Sequence, residues 1–212
     1  MSAATIRHLQ SLVALLLLGA TPALSAEPVP TATFAGGCFW CMQPAFDSVD
    51  GVVSTTVGYT GGHTKQPTYQ DVETGTTGHA EAIQITYDAK KVSYAQLLDV
   101  FWHNIDPLTA NRQFCDFGPQ YRSAIFYHDE EQKRLAEASK KALESSGRFQ
   151  QPIVTEIVPA SEFYPAEAYH QDYYRKNPVR YHYYRFRCGR DRRLEELWGK
   201  PAPGVSPTLP TH

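Results

Sequence analysis

No stretch of this 212-residue chain is long and apolar enough to anchor it across a bilayer, nothing in it repeats, and only one C-x-x-C pair occurs, at Cys38 and Cys41. A zinc site closed by protein needs four ligands. Cys115 and Cys188 stand alone, and His63 and His79 lack ligand spacing, so the pattern argues against a structural metal. Met42, not histidine, follows Cys41, which excludes c-type haem attachment. Neither sign of charge dominates, with 20 Lys and Arg against 22 Asp and Glu. That balance implies no nucleic-acid or membrane-surface partner.

The longest apolar run, residues 12–20, is preceded by Arg7 and His8 and followed by Thr21-Pro22-Ala23-Leu24-Ser25-Ala26. A basic start, a short apolar centre and small residues near Ser25 and Ala26 read as a signal peptide over residues 1–26. The run is too short for a permanent anchor, and no cysteine at its end offers a lipid attachment point. The expectation is therefore an exported protein, periplasmic or secreted. Residues 201–212 have the Pro-rich composition of a disordered tail, and 27–200 remain as one domain.

What is present is concentrated at Gly36-Gly37-Cys38-Phe39-Trp40-Cys41, after a β-branched and apolar stretch at 31–35. A cysteine at the first turn of a helix has its thiolate stabilised by unpaired backbone N–H groups and the positive end of the dipole. The glycine pair lets backbones approach there. A second cysteine three residues on gives an oxidised Cys38 an internal partner, so a sulfenic acid can collapse to a disulfide before further oxidation.

Around this motif, strand and helix signals alternate irregularly. Residues 79–87 have period two, with Glu81, Ile83, Ile85 and Tyr87 on one face. A carboxyl group among apolar neighbours needs a partner or a task. Ser93 and Gln96 form a capping box before a stripe of Leu97, Leu98, Phe101 and Trp102, and Asp129 with Gln132 does the same for a helix closed by Gly147. Residues 121–127 and 153–158 read as strands, and helices are expected from Pro165 to before Pro178 and from Asp191 to Trp198. Pro44 leaves two options for the residues after Cys38: a helix kinked at the proline, or a turn preceding one. The mixture suggests a two-layer α+β domain, with α/β as the alternative.

Six ordered motifs, Gly37-Cys38-Phe39-Trp40, Gly58-Tyr59-Thr60-Gly61-Gly62, Pro67-Thr68-Tyr69, Gly78-His79-Ala80-Glu81, Gln120-Tyr121-Arg122-Ser123-Ala124-Ile125 and Tyr169-His170-Gln171, resemble the peptide methionine sulfoxide reductases of the A type. The resemblance implies a single-domain ferredoxin-like α+β sandwich, with long loops and an irregular C-terminal segment, that uses no metal or organic cofactor. It implies a nucleophile at Cys38, an acid at Glu81, oxygen-binding phenols at Tyr69 and Tyr121, and a supporting Asp116. Phe39 and Trp40 match the aromatics that receive the substrate's S-methyl group. The implied substrate is methionine-S-sulfoxide, free or in oxidised proteins, and the implied reductant a thioredoxin-like partner; a monomer is expected.

Each residue also has a plainer role. Tyr69 and Tyr121 are two of thirteen tyrosines, which more often simply pack. Phe39 and Trp40 fit a core, and Asp116 fits a turn. Three features depart from the family pattern: Phe117 stands where many relatives carry histidine, Cys41 where many have glycine, and the tail lacks a glycine-rich cysteine segment. Cys41 is therefore assigned as the resolving cysteine. Cys115 and Cys188 fit either a structural disulfide, which export favours, or a second relay. The rival readings are a general thiol–disulfide oxidoreductase and a metal-stabilised interaction domain.

Overall fold

The computed structural model describes residues 29–200, so the leader and tail expected at 1–26 and 201–212 lie outside the described residues. The chain runs β1 (Thr31–Gly36), α1 (Phe39–Asp47), β2 (Val52–Thr60), α2 (Tyr69–Glu73), β3 (Ala80–Tyr87) and α3 (Tyr94–Trp102). A hairpin of β4 (Arg112–Gln113) and β5 (Asp116–Phe117), then a 3-10 turn at Pro119–Tyr121, lead into β6 (Ser123–Tyr127). After them come α4 (Glu130–Ser145), β7 (Glu156–Pro159), β8 (Tyr164–Pro165), α5 (Tyr173–Lys176), α6 (Pro178–Cys188) and α7 (Arg190–Trp198). Six strands form one mixed sheet in the order β7-β6-β1-β3-β2-β8. Among the described residues, only β6 and β7 pair in parallel. The molecule is a mixed α/β single domain.

The two faces of the sheet are covered differently. Phe34, Val57, Ile83, Ile85 and Ile125 meet Phe39, Met42 and Phe46 of α1, Leu97, Leu98 and Phe101 of α3, and Ala136 of α4. Burying such side chains contributes roughly 1.5–3 kcal/mol each. The opposite face presents Ala35, Ala80, Ala82 and Ala124, small enough for an irregular segment with Val158, Ala160 and Phe163 to lie on it. Glu81 follows the period-two prediction and points to the helical face with Ile83 and Ile85. It is 3% exposed.

Several local expectations hold for the expected reasons. Ser93 and Gln96 exchange the reciprocal capping bonds that start α3. The Asp129 carboxylate accepts the Gln132 N–H at 2.7 Å to start α4. The Gln132 side chain instead accepts from the His128 N–H and donates to the Thr31 carbonyl, which ties α4 to β1.

Other expectations are corrected. The choice left open at Pro44 resolves as a helix: α1 begins directly after Cys38 and carries Pro44 inside it, forgoing one backbone bond. The strand expected over 153–158 is only Glu156–Pro159. Val154 donates its N–H to the Pro107 carbonyl, and Thr155 turns inward onto the Ser123 hydroxyl. The helix expected from Pro165 to before Pro178 forms only as α5, Tyr173–Lys176. Pro165 sits in β8 at the sheet edge opposite Gly58, where a missing N–H is tolerated. Pro178 is the proline that starts a helix, at the first position of α6, where its fixed φ fits and no N–H is needed. The sequence pattern assigned nothing to β2, whose early residues Val53 and Ser54 are exposed and whose register shifts between Val52 and Ser54.

Candidate active site

Gly36 and Gly37 determine how the chain leaves β1 for α1. A Cβ on Gly36 would stand 2.6 Å from Met42 Sδ, and one on Gly37 would stand 2.3 Å from the Gln113 side chain. Gly37 also has φ of +76°, which disfavours other residues. The turn delivers Cys38 as the N-cap of α1, with its carbonyl accepting from the Cys41 N–H at 3.0 Å. Both cysteines are free and buried.

β3 brings the carboxyl group to this turn. The Phe39 N–H donates to Glu81 Oε2 at 3.0 Å, so an otherwise unpaired donor of the helix start is spent on Glu81. Tyr59 on β2 lies directly across from Glu81. Burial pushes the Glu81 carboxyl up to about 8; the Phe39 N–H opposes this, and negative charge on Asp116 and Cys41 reinforces it. At neutral pH the group is therefore mostly an acid with a proton to give.

The cysteines differ from the sequence expectation in which sulfur holds the negative charge. Burial, the neighbouring Cys41 and the charges on Glu81 and Asp116 raise Cys38 well above an ordinary thiol. Cys41 is lowered to about 6, chiefly by a hydrogen bond from Cys38, and also by Arg190 and Arg185 against the cost of burial. The dipole argument for Cys38 is outweighed because its sulfur is buried, the Phe39 N–H at the helix start goes to Glu81, and Cys41 and Asp116 bring negative charge nearby. The pair ionises as a unit, holding one proton between two sulfurs.

Aromatic side chains complete the wall. Phe39 is fully buried and Trp40 half-buried, and both rings pack against His170, at 5.1 and 5.6 Å between centroids. Trp40 Nε1 donates to His170 Nδ1 at 3.0 Å, while the indole stacks on Tyr173 at 3.7 Å. The Tyr69 ring lies 4.4 Å from His170, and its N–H donates to Glu167 Oε1 at 2.8 Å. Burial raises the hydroxyls of Tyr69 and Tyr121, and Glu81 lies near enough to raise both further. Asp116 accepts from the Tyr184 hydroxyl at 2.5 Å.

Every predicted site residue thus belongs to one neighbourhood, and the structure adds others. Glu167 accepts from Tyr59 and from the Tyr69 N–H, and so holds α2. His170 is the hub of the aromatic cluster, and Tyr173, Tyr181 and Tyr184 pack on the cysteines. Only Tyr169-His170-Gln171, singled out as a motif, signalled this C-terminal contribution. Cys115 and Cys188 form a disulfide that joins β5's hairpin to the end of α6. Phe117 is 65% exposed, under the Arg112 guanidinium, and carries no polar contact into the site.

A family model described as peptide methionine sulfoxide reductase matches residues 30–202. Proteins named peptide methionine sulfoxide reductase MsrA from Bacillus licheniformis and Bacillus subtilis are each 53% identical, covering 82% of this chain and 97% and 98% of their own. Among solved structures, reduced Mxr1 from Saccharomyces cerevisiae superposes with a TM-score of 0.65 at 35% identity, covering 70% of this chain and 86% of that one. Methionine sulfoxide reductase A of Corynebacterium diphtheriae gives 0.63 at 36% identity, covering 70% and 75%. With the family model spanning nearly all the described residues and relatives above half identity along their whole length, the chain belongs to the peptide methionine sulfoxide reductase family, whose enzymes reduce oxidised methionine.

Proposed function

We propose that this enzyme is a peptide-methionine (S)-S-oxide reductase acting on free and protein-bound methionine-S-sulfoxide, exported by its leader to repair oxidised proteins of the periplasm or cell exterior. The observation that carries the chemistry is the buried Glu81 carboxyl, hydrogen-bonded at 3.0 Å to the residue after Cys38. Cys38 attacks the sulfoxide sulfur, and its proton passes to Cys41. Glu81 protonates the oxygen as the S–O bond weakens, and Tyr69 and Tyr121 donate hydrogen bonds to it. The hydroxyl moves to Cys38, methionine leaves, and Cys41 passes the proton it took from Cys38 to Glu81; in sum, thiol and sulfoxide become sulfenic acid and thioether.

Cys41 then displaces hydroxide from the Cys38 sulfenic acid, which leaves as water, and a Cys38–Cys41 disulfide forms. A thioredoxin-like dithiol reduces it and is itself oxidised. Phe39 and Trp40 receive the S-methyl group, so only one configuration at sulfur directs its oxygen to Glu81. Asp116 supports the site through Tyr184. The Cys115–Cys188 bond acts as a structural staple, and the enzyme works as a monomer. The central strand order β6-β1-β3-β2, fourth-first-third-second among these four, supports a ferredoxin-like sandwich.

The deciding experiment offers the two methionine sulfoxide epimers separately with dithiothreitol and maps the cysteines by mass spectrometry. Turnover of the S epimer alone, with a Cys38–Cys41 linkage when dithiothreitol is withheld, is expected. Equal rates for both epimers reject the aromatic-pocket argument.

A further inference from the structure

We propose that Arg190 is the positioning residue of the cysteine pair: it pins the turn that presents Cys38 and holds a fixed positive charge against the negative charge the pair carries. Arg190 opens α7 and is 1% exposed, the largest side chain buried so completely among the described residues. Its Nη2 donates to the Gly36 carbonyl at 3.2 Å and the Asn104 carbonyl at 2.7 Å, and lies 3.1 Å from Met42 Sδ. These contacts join the last residue of β1, the loop after α3, and the α1 residue next to Cys41. The guanidinium lies over the Phe114 ring at 4.3 Å from its centroid.

None of these partners is charged, and Arg190 Nε has no partner among the described residues. Arg185, the other buried arginine nearby, differs: it is paired with the Asp191 carboxylate and donates to the Tyr181 hydroxyl. A buried cation without a carboxylate is unfavourable unless an anion forms within reach. Arg190's charge acts on Cys41 of α1, Asp116 of β5 and Tyr181 of α6, and Cys38, Glu81 and Tyr184 adjoin these groups. Asp116 keeps its charge and accepts from the Tyr184 hydroxyl, Glu81 is held protonated by burial, and burial raises the tyrosines far above ordinary phenols. Arg190 thus faces two anions, Asp116 and the cysteine pair, and of these only the pair sits on the turn that Arg190 pins; together with Arg185 it favours the ionised form of Cys41.

The function proposed above enters only in taking Cys38 and Cys41 as the reactive pair. The test contains no sulfoxide: reduced enzyme is alkylated with iodoacetamide across pH, and the rate at Cys38 and Cys41 is read site by site by mass spectrometry. Failure here therefore leaves the reductase activity untouched, and failure of the epimer assay leaves this titration interpretable. Arg190→Gln, which keeps a donor but no charge, is expected to raise the midpoint of the pair's first ionisation by about 1–3 units. Arg190→Lys, which keeps the charge, is expected to stay within about half a unit of wild type. A folded Arg190→Gln with an unchanged midpoint overturns the proposal, as do equal shifts in both variants. Should Arg190→Gln fail to fold, Arg190→Lys decides: a low midpoint supports the charge role and a raised one refutes it.

Discussion

Replacing Glu81 with glutamine separates its proton from its shape. The side chain can still accept the Phe39 N–H through its amide oxygen, so the turn bearing Cys38 is retained. The acid is lost, and general acid catalysis of this kind is typically worth about 10² to 10⁴ in rate. In the wild type, the single-turnover rate should climb through about 6, as the cysteine pair gives up its proton, and fall above about 8, as Glu81 loses its own. Glu81→Gln should abolish the falling limb and flatten the profile at the reduced rate. Stability should move the opposite way. Because the folded-state value is raised from 4.5 to about 8, the folded protein binds more protons than the unfolded chain between those values. Its stability is thus fully present below 4.5 and lost as pH rises through about 8. The loss is up to about 5 kcal/mol at 1.36 kcal/mol per unit. Urea denaturation of the reduced proteins should therefore find the glutamine variant more stable than wild type near pH 9, a difference that disappears near pH 4. A variant with wild-type single-turnover rates, or a wild-type rate that keeps rising above pH 8, would refute the assignment of Glu81 as a neutral acid.

Other substitutions probe the remaining parts. Cys38→Ser should release no methionine, whereas Cys41→Ser should release about one per enzyme and then stop with a protein reductant; normal recycling by the Cys41 variant rules it out as the resolving residue. Tyr69→Phe and Tyr121→Phe should each lower kcat about 10²-fold, the cost of one donor to a developing oxyanion, with KM little changed. If only KM moves, these hydroxyls bind substrate without stabilising the transition state. Changing Cys115 and Cys188 together to serine removes a bridge of sequence separation 73, and should cost about 2–4 kcal/mol in chemical denaturation. Recycling by a thioredoxin-like protein should persist in that variant; its loss, with the first turnover intact, would mean that the disulfide relays electrons.

Most of the site was legible because its chemistry is written in short, local patterns. The glycine pair, the two cysteines and the start of α1 lie within six residues. Glu81 stood out because a charged residue occupied an apolar phase of a period-two strand, and burial on the helical face is what gives it a usable proton. The aromatic and tyrosine roles depended on family motifs, since a tyrosine looks the same in sequence whether it packs or binds. Errors gathered in the C-terminal third. There, two prolines compete as helix starters, and the winner is set by which of them finds a sheet edge.

The sequence by itself determined the glycine–cysteine motif, the periodic strand bearing the acid, and the caps of α3 and α4, because each depends on residues within a turn or strand of one another; it left open whether a turn or a helix follows Cys38. The tertiary structure alone decided how the charges are shared. Which sulfur keeps the proton and why Glu81 is neutral follow from burial and from neighbours distant in sequence, and contacts such as that of Arg190 with Gly36 join residues 154 apart in the chain. Desolvation and Coulomb attraction act through space, and no local pattern records them.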